Sequence, residues 1–242
     1  MHQIALDLHR VEAPTLENFV AGRNGEALAC LRALRTDPRA GVPLVYLWGE
    51  PGCGKTHLAL AAAGAANALA ADAPLAAFEA LVADAADRAR LVAVLDVERL
   101  DAERQSLLFH LVNRARAQPA STVLATGAHP PLALALRDDL RTRLGSGLVY
   151  RLQLLDDDEK AAALERVARE RGVAIASDVI PWLIAHTSRD IRALLRTFDA
   201  LDRRAFERRR PITLPLLREW LQDTQPPDGG AASDDGGSAL PS

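Results

Sequence analysis

The sequence predicts an α/β protein: a parallel-sheet domain built around a phosphate loop, followed by a small all-helical domain. Three observations carry this. Short apolar runs ending near Gly or Asp alternate with helical stretches as far as Leu152, the pattern of a parallel sheet covered on both faces. Beyond Leu155 only helical patterning remains. Between the first apolar run and the helix after it lies a glycine-rich segment, Gly49 to Thr56, with phosphate-binding spacing.

Residues 1–12 have no room for a core element and are expected to be an extended tail. Glu26 to Arg35 sets Leu28, Leu31 and Leu34 at spacings of three, one face of a helix. Leu44 to Trp48 reads as a buried strand, and the alanine-rich stretch Lys55 to Ala71 as a helix. Leu91 to Leu95 is a second strand, ending at Asp96. Asp101 can cap a helix through Arg116 that turns Leu107, Leu108, Leu111 and Val112 inward. Thr122 to Ala125 and Leu148 to Leu152 are the third and fourth strands. Pro74 to Arg90 leaves little room for both a strand and a helix, so the sheet is expected to be smaller or irregular there.

In the helical part, Asp156, Asp157, Asp158 and Glu159 favour a helix N-terminus, and Gly172 ends that helix. Ser177 can cap a second helix, with Pro181 in or near its first turn. A third spans about Arg189 to Arg204 and a fourth about Leu214 to Leu221. Pro, Gly, Ser and Asp dominate the rest, a composition that does not fold alone. The expected organisation is a tail (1–12), an α/β domain (13–154), a helical lid (155–222) and a disordered tail (223–242).

Composition excludes several classes. The chain has 242 residues, 25% of them charged, and a formal net charge of -3; it is not a binder with a wholly basic surface. No run approaches the ~18 apolar residues of a membrane span, and no basic-then-apolar leader opens the chain, so a soluble cytoplasmic protein is expected. Cys30 and Cys53 form no disulfide framework, and no Cys/His cluster has zinc spacing. Lys55 and Lys160 are the only lysines in an arginine-rich chain, which makes Lys55 stand out.

Gly49-Glu50-Pro51-Gly52-Cys53-Gly54-Lys55-Thr56 fits G-x-x-x-x-G-K-S/T at every position. Glycines let the loop curl so that backbone N–H groups face a phosphate, and the helix N-terminus adds positive potential. Lys55 would reach the β- and γ-phosphates of a nucleotide, and Thr56 would coordinate Mg2+. His57, next in sequence, is the histidine expected nearest the ligand. Asp96, at the end of a neighbouring strand, supplies the carboxylate for the metal shell. Val97 stands where many such ATPases carry a second acid. Alternation along an extended backbone would put Glu98 on the face of Asp96. Nucleotide binding is therefore expected, with little autonomous hydrolysis.

A phosphate-loop domain followed by helices resembles the AAA+ ATPases, and four segments resemble the group around the bacterial replication initiator DnaA. They are Leu47 to Leu58, Thr126-Gly127-Ala128-His129-Pro130-Pro131 (sensor I), Leu140-Arg141-Thr142-Arg143-Leu144 (the arginine-finger segment) and Ser188 to Leu194 (sensor II). The resemblance spans roughly residues 13–222 and stops where an initiator would continue into a DNA-binding domain. This is similar to the Hda branch, regulatory inactivators of DnaA. Gln3-Ile4-Ala5-Leu6-Asp7-Leu8 is similar to that branch's hexapeptide for the DNA polymerase III sliding clamp. In that reading Gln3 enters a polar pocket while Leu6 and Leu8 fill an apolar groove; the pattern alone equally fits an N-terminal strand or leader.

The resemblance implies ADP or ATP with Mg2+ as ligands, DnaA and the clamp as partners, DNA contacted mainly through the clamp, and possible homo-oligomers. It makes Arg143 a finger acting on a neighbour's ATP, and Arg192 a lid residue reporting its own nucleotide. Either arginine could instead form an ordinary surface ion pair. Ala128 stands where sensor I usually has a polar residue, although Thr126 offers a hydroxyl. Two other readings stay open: an autonomous ATPase such as a helicase-loader-like motor, and a passive DnaA-binding adaptor. The run Arg203-Arg204 with Arg208-Arg209-Arg210 is read as a solvated helix end.

Overall fold

In the computed structural model, which describes residues 13–37, 41–84, 90–117, 121–186 and 190–224, the sheet is built outward from β1 (Leu44–Trp48). Four strands join it: β2 (Ala68–Leu69), β3 (Arg90–Val94), β4 (Ser121–Gly127) and β5 (Leu148–Arg151). Their order is β2-β3-β4-β1-β5, and every pairing is parallel. Side chains alternate across the sheet as a period of two requires. Val45, Leu47, Ala93 and Leu124 pack with α1 (Gly25–Thr36) and α2 (Lys55–Ala63). Leu44, Tyr46, Val92, Val94 and Val123 pack against the other layer, α3 (Leu75–Asp84), α4 (Ala102–Ala117) and α5 (Asp138–Gly145). Each fully buried Leu or Val adds about 1.5–3 kcal/mol of hydrophobic stabilisation before chain entropy is set against it.

The region from α2 to β3 departs from the sequence expectation. The helix expected to reach Ala71 stops at Ala63, where Gly64 takes φ +79° and donates its N–H to Leu60 O, 2.9 Å away. A glycine at positive φ closes a helix that alanines would continue. Residues 65–67 form a 3-10 turn leading into β2, so both an extra strand and an extra helix fit. The room comes from a strand of two residues, held by its pairing with β3 and by Leu95 N–H to Leu69 O at 2.8 Å. Further on, Asp101 accepts the Arg104 N–H at 2.8 Å, tying down the start of α4.

The chain divides into two compact units, ending and beginning at Asp156 and Asp157. The second holds α6 (Asp157–Arg171), α7 (Val179–His186), α8 (Ile191–Arg208) and α9 (Leu214–Thr224) around Leu164, Leu183, Leu194, Phe198, Leu201 and Leu217. Gly172 at φ +66° ends α6, and Asp190 caps α8 by accepting the Arg192 N–H at 3.0 Å. In the basic run, Arg204 pairs with Asp223 and Arg208 with Glu219, both from α9. No described helix is long and apolar enough to cross a membrane.

Candidate functional site

All five strands run the same way, so the loops leaving their C-terminal ends gather on one edge of the sheet, where parallel α/β folds place ligands. The loop after β1 is the phosphate loop. Gly52 and Gly54 take φ +87° and +97°, which a side-chain-bearing residue adopts only with strain. Gly49 answers to a different constraint: a Cβ there would lie 2.3 Å from the carbonyl oxygen of Leu152. The Lys55 ammonium donates to Gly49 O at 2.6 Å and Glu50 O at 3.1 Å. Cys53 is buried, and burial pushes its thiol above its ordinary range despite the nearby ammonium. Lys160, the other lysine, is buried beside Asp157 at 2.7 Å in the second unit. Beside the loop, the Arg151 guanidinium of β5 lies 5.3 Å from the centre of the Trp48 indole.

Asp96 follows β3 in a left-handed conformation (φ +51°). Its N–H donates to Thr126 Oγ1 on β4 at 3.0 Å, so the fully buried threonine hydroxyl sets the turn that carries the carboxylate. The expectation that Glu98 shares the face of Asp96 fails here. It assumed extended backbone, but residues 97–99 form a 3-10 turn. Glu98 instead accepts the Ala128 N–H through Oε1 at 3.1 Å. Tyr46, on β1, donates to His129 O at 2.8 Å. Burial and then the Glu98 charge hold the Tyr46 phenol far above its ordinary range, so it stays a donor.

His57 faces the segment before α1: Nε2 lies 2.9 Å from Thr15 O, and its ring is 5.5 Å from that of Phe19. Phe19 in turn sits 2.6 Å from where a Gly54 Cβ would be. At the end of α5 the structure distinguishes two arginines. Arg141 pairs with Asp138 at 2.6 Å, whereas Arg143 has no carboxylate partner among the described residues and lies 5.9 Å from the centre of the Phe109 ring. Arg192 belongs to the second unit, with its Nε 3.8 Å from Asp190. Gln3, Leu6 and Leu8 lie outside the described residues, as do Ser188 and Arg189.

The residues present fit a nucleotide with its metal. Neither the Thr56 hydroxyl nor the Asp96 carboxylate has a hydrogen-bond or ion-pair partner among the described residues, so both oxygens are open to a hard cation. No group of three or more His, Cys, Asp or Glu among the described residues could hold a metal by itself, and a magnesium that keeps its waters and takes phosphate oxygens needs no such group.

Domain III of the Thermotoga maritima replication initiation protein DnaA superposes with a TM-score of 0.65 at 19% identity, covering 88% of this chain and 97% of that one. AMPPCP-bound DnaA from Aquifex aeolicus gives 0.64 at 22% identity, over 77% of this chain. A variant of Thermotoga maritima RuvB gives 0.66 at 18%, covering 87% of this chain and 72% of that one. The chain spans less than two thirds of two initiator chains, 64% of the Aquifex protein and 65% of another replication initiation factor. These likenesses establish the fold and do not separate initiators from RuvB. The chain is 30% identical to an uncharacterised Haemophilus influenzae protein over 228 residues, 90% of this chain and 98% of that one. Its helical part matches the Hda lid domain over residues 157–221. The helical part belongs to the Hda lid-domain family, and together with the DnaA-like fold it marks the chain as Hda-like.

In this Hda-like chain the sequence marks the phosphate loop and Asp96, but not the side chains packed around them. The sequence marks Tyr46 only as a strand residue, and nothing in its neighbourhood announces a bond to a residue 83 positions away. Phe19 carried a signal in principle, an aromatic shortly before a phosphate-loop domain, but its packing on Gly54 depends on tertiary structure.

Proposed function

We propose that this Hda-like protein is a cytoplasmic negative regulator of replication initiation. It binds adenine nucleotide, ADP or ATP with Mg2+, through the phosphate loop, and it stimulates hydrolysis of the ATP held by DnaA. Lys55 and the backbone of residues 52–56 hold the phosphates, while Thr56 and Asp96 complete the metal shell. The bound metal supplies charge neutralisation on the phosphates. Arg192 reports on the nucleotide from the lid. Gln3, Leu6 and Leu8 tether the protein to the DNA polymerase III sliding clamp, so DNA is contacted mainly through the clamp.

One observation carries the trans-acting reading: Arg143, unlike Arg141 two residues earlier on the same helix, has no carboxylate partner among the described residues. A guanidinium not tied to a carboxylate among the described residues is available to a neighbour's γ-phosphate, where its planar fork of donors fits the oxygens. An autonomous motor is less well supported, because Glu98, the first acid in sequence after Asp96, is bonded to the Ala128 N–H. A passive adaptor would inhibit without Arg143.

The deciding experiment follows hydrolysis of DnaA-bound ATP with DNA-loaded clamp and this protein, with and without Arg143→Ala. Acceleration that needs both the clamp and Arg143 is expected. No acceleration by folded, nucleotide-binding wild type would sink the proposal, and inhibition that survives the substitution would favour the adaptor.

A further inference from the structure

Glu98, half-buried with one carboxylate oxygen fully enclosed, is the acid that the nucleotide reading leaves without a task. Its Oε1 accepts the Ala128 N–H at 3.1 Å, and its Oε2 is buried with no hydrogen-bond partner among the described residues. Oε2 packs against Gly127, 3.0 Å from where a Cβ would stand, and the Tyr46 hydroxyl closes the same space at 2.1 Å. The carboxylate is therefore turned into the end of the sheet and spent on backbone.

We infer that Glu98 is a positioning residue, which fixes the loop after β4 through the Ala128 N–H instead of polarising a water for attack. Three bonds from different elements hold this short segment. Thr126 Oγ1 receives the Asp96 N–H, Glu98 takes the N–H of Ala128, and Tyr46 donates to the carbonyl of His129. Gly127 is in register with Trp48, the residue before the phosphate loop. The loop after β4 thus starts beside the loop after β1, and a shift at Ala128 moves one wall of the nucleotide site. Gly127 is required because the acid and the phenol occupy the space of any side chain. Ala128 lacks a polar side chain, and Glu98 uses its N–H, so the acid orders the wall where the residue itself contributes no side-chain contact.

The functional consequence rests on the nucleotide-binding reading; the positioning itself does not. Backbone acceptance and base catalysis part company at Glu98→Gln, because an amide oxygen still accepts the Ala128 N–H but cannot take a proton from water. Glu98→Asp keeps the charge and withdraws its reach, and Glu98→Ala removes both. Amide exchange at Ala128 and binding of a fluorescent ATP analogue are measured in the full-length protein. Glu98→Gln is expected to stay within about twofold of wild type in both readouts, while Glu98→Asp and Glu98→Ala exchange roughly tenfold faster at Ala128 and bind several-fold more weakly.

Unchanged Ala128 exchange in the Asp and Ala variants overturns the inference. So does a Gln variant as impaired as the Ala variant, or one that binds nucleotide normally but has lost the protein's own ATP turnover. Should Glu98→Ala not fold, the Asp and Gln pair still decides. Wild type that binds no nucleotide removes the function proposed above, yet leaves the exchange result to judge Glu98.

Discussion

The Lys55 ammonium lies 2.6 Å from the carbonyl oxygen of Gly49, so the phosphate loop is closed on itself by its own lysine. A phosphate that enters must exchange these carbonyl contacts for its own oxygens, which carry full negative charge. Lys55→Ala is expected to weaken ADP binding roughly 10- to 100-fold, the worth of one charge-assisted hydrogen bond. Calorimetric titration measures it, and an unchanged affinity would remove Lys55 from the site. The thermal midpoint without nucleotide should barely move.

Arg143→Ala should abolish stimulation of DnaA-bound ATP hydrolysis, a loss on the order of a thousandfold if the arginine is a trans finger. Its own nucleotide affinity should be unchanged, and stability should fall by about 1 kcal/mol or less, the scale of the ring contact with Phe109. Arg141→Ala, which breaks the pair with Asp138, is the control and should retain stimulation. Equal loss in both would point to damage at the end of α5.

Gly54→Ala introduces a side chain at φ +97° with its Cβ 2.6 Å from the Phe19 ring. Strain of about 1–3 kcal/mol is expected in urea denaturation, accompanied by weaker nucleotide binding because Phe19 and the loop must separate. A variant as stable as wild type would show that the loop relaxes freely.

Asp101 gives a pH signature. The Arg104 N–H, and secondarily its guanidinium, hold the Asp101 carboxyl below the usual carboxylate range. A depressed folded-state pKa stabilises the protein above the unfolded value, near pH 4, and that contribution fades as pH falls through the folded one. Asp101→Ala should therefore lower Tm at pH 7, and the gap to wild type should close in acid. A gap that persists at the lowest pH would mean the side chain acts other than through its charge.

The double substitution Gln3→Ala with Leu6→Ala should abolish capture by immobilised clamp while ADP affinity stays at the wild-type value. Normal retention would remove the tether.

The sequence made the phosphate loop legible because its function is local: eight consecutive residues specify the curl, the lysine and the following helix. Strands β1, β3 and β4 were legible for a similar reason, as apolar runs buried on both faces. The stretch from Ala65 to Asp84 was not. Alanine suits a helix, a turn and a two-residue strand alike, and only the positive φ of Gly64 breaks the run. Glu98 was misdirected by one residue: the left-handed Asp96 ends the alternation on which its placement depended. Of the contrast between Arg141 and Arg143 only half is local: Asp138 and Arg141 stand three residues apart on α5, whereas the approach of Arg143 to Phe109 of α4 is set by tertiary packing.

The indole of Trp48, which borders Gly49 and lies beneath the Arg151 guanidinium, gives the protein a native optical reporter. Of its three tryptophans, the other two, Trp182 and Trp220, are in the helical unit. Replacing those two by phenylalanine would leave one emitter next to the phosphate loop. Its colour and quenching would then follow occupancy in real time, with no attached dye.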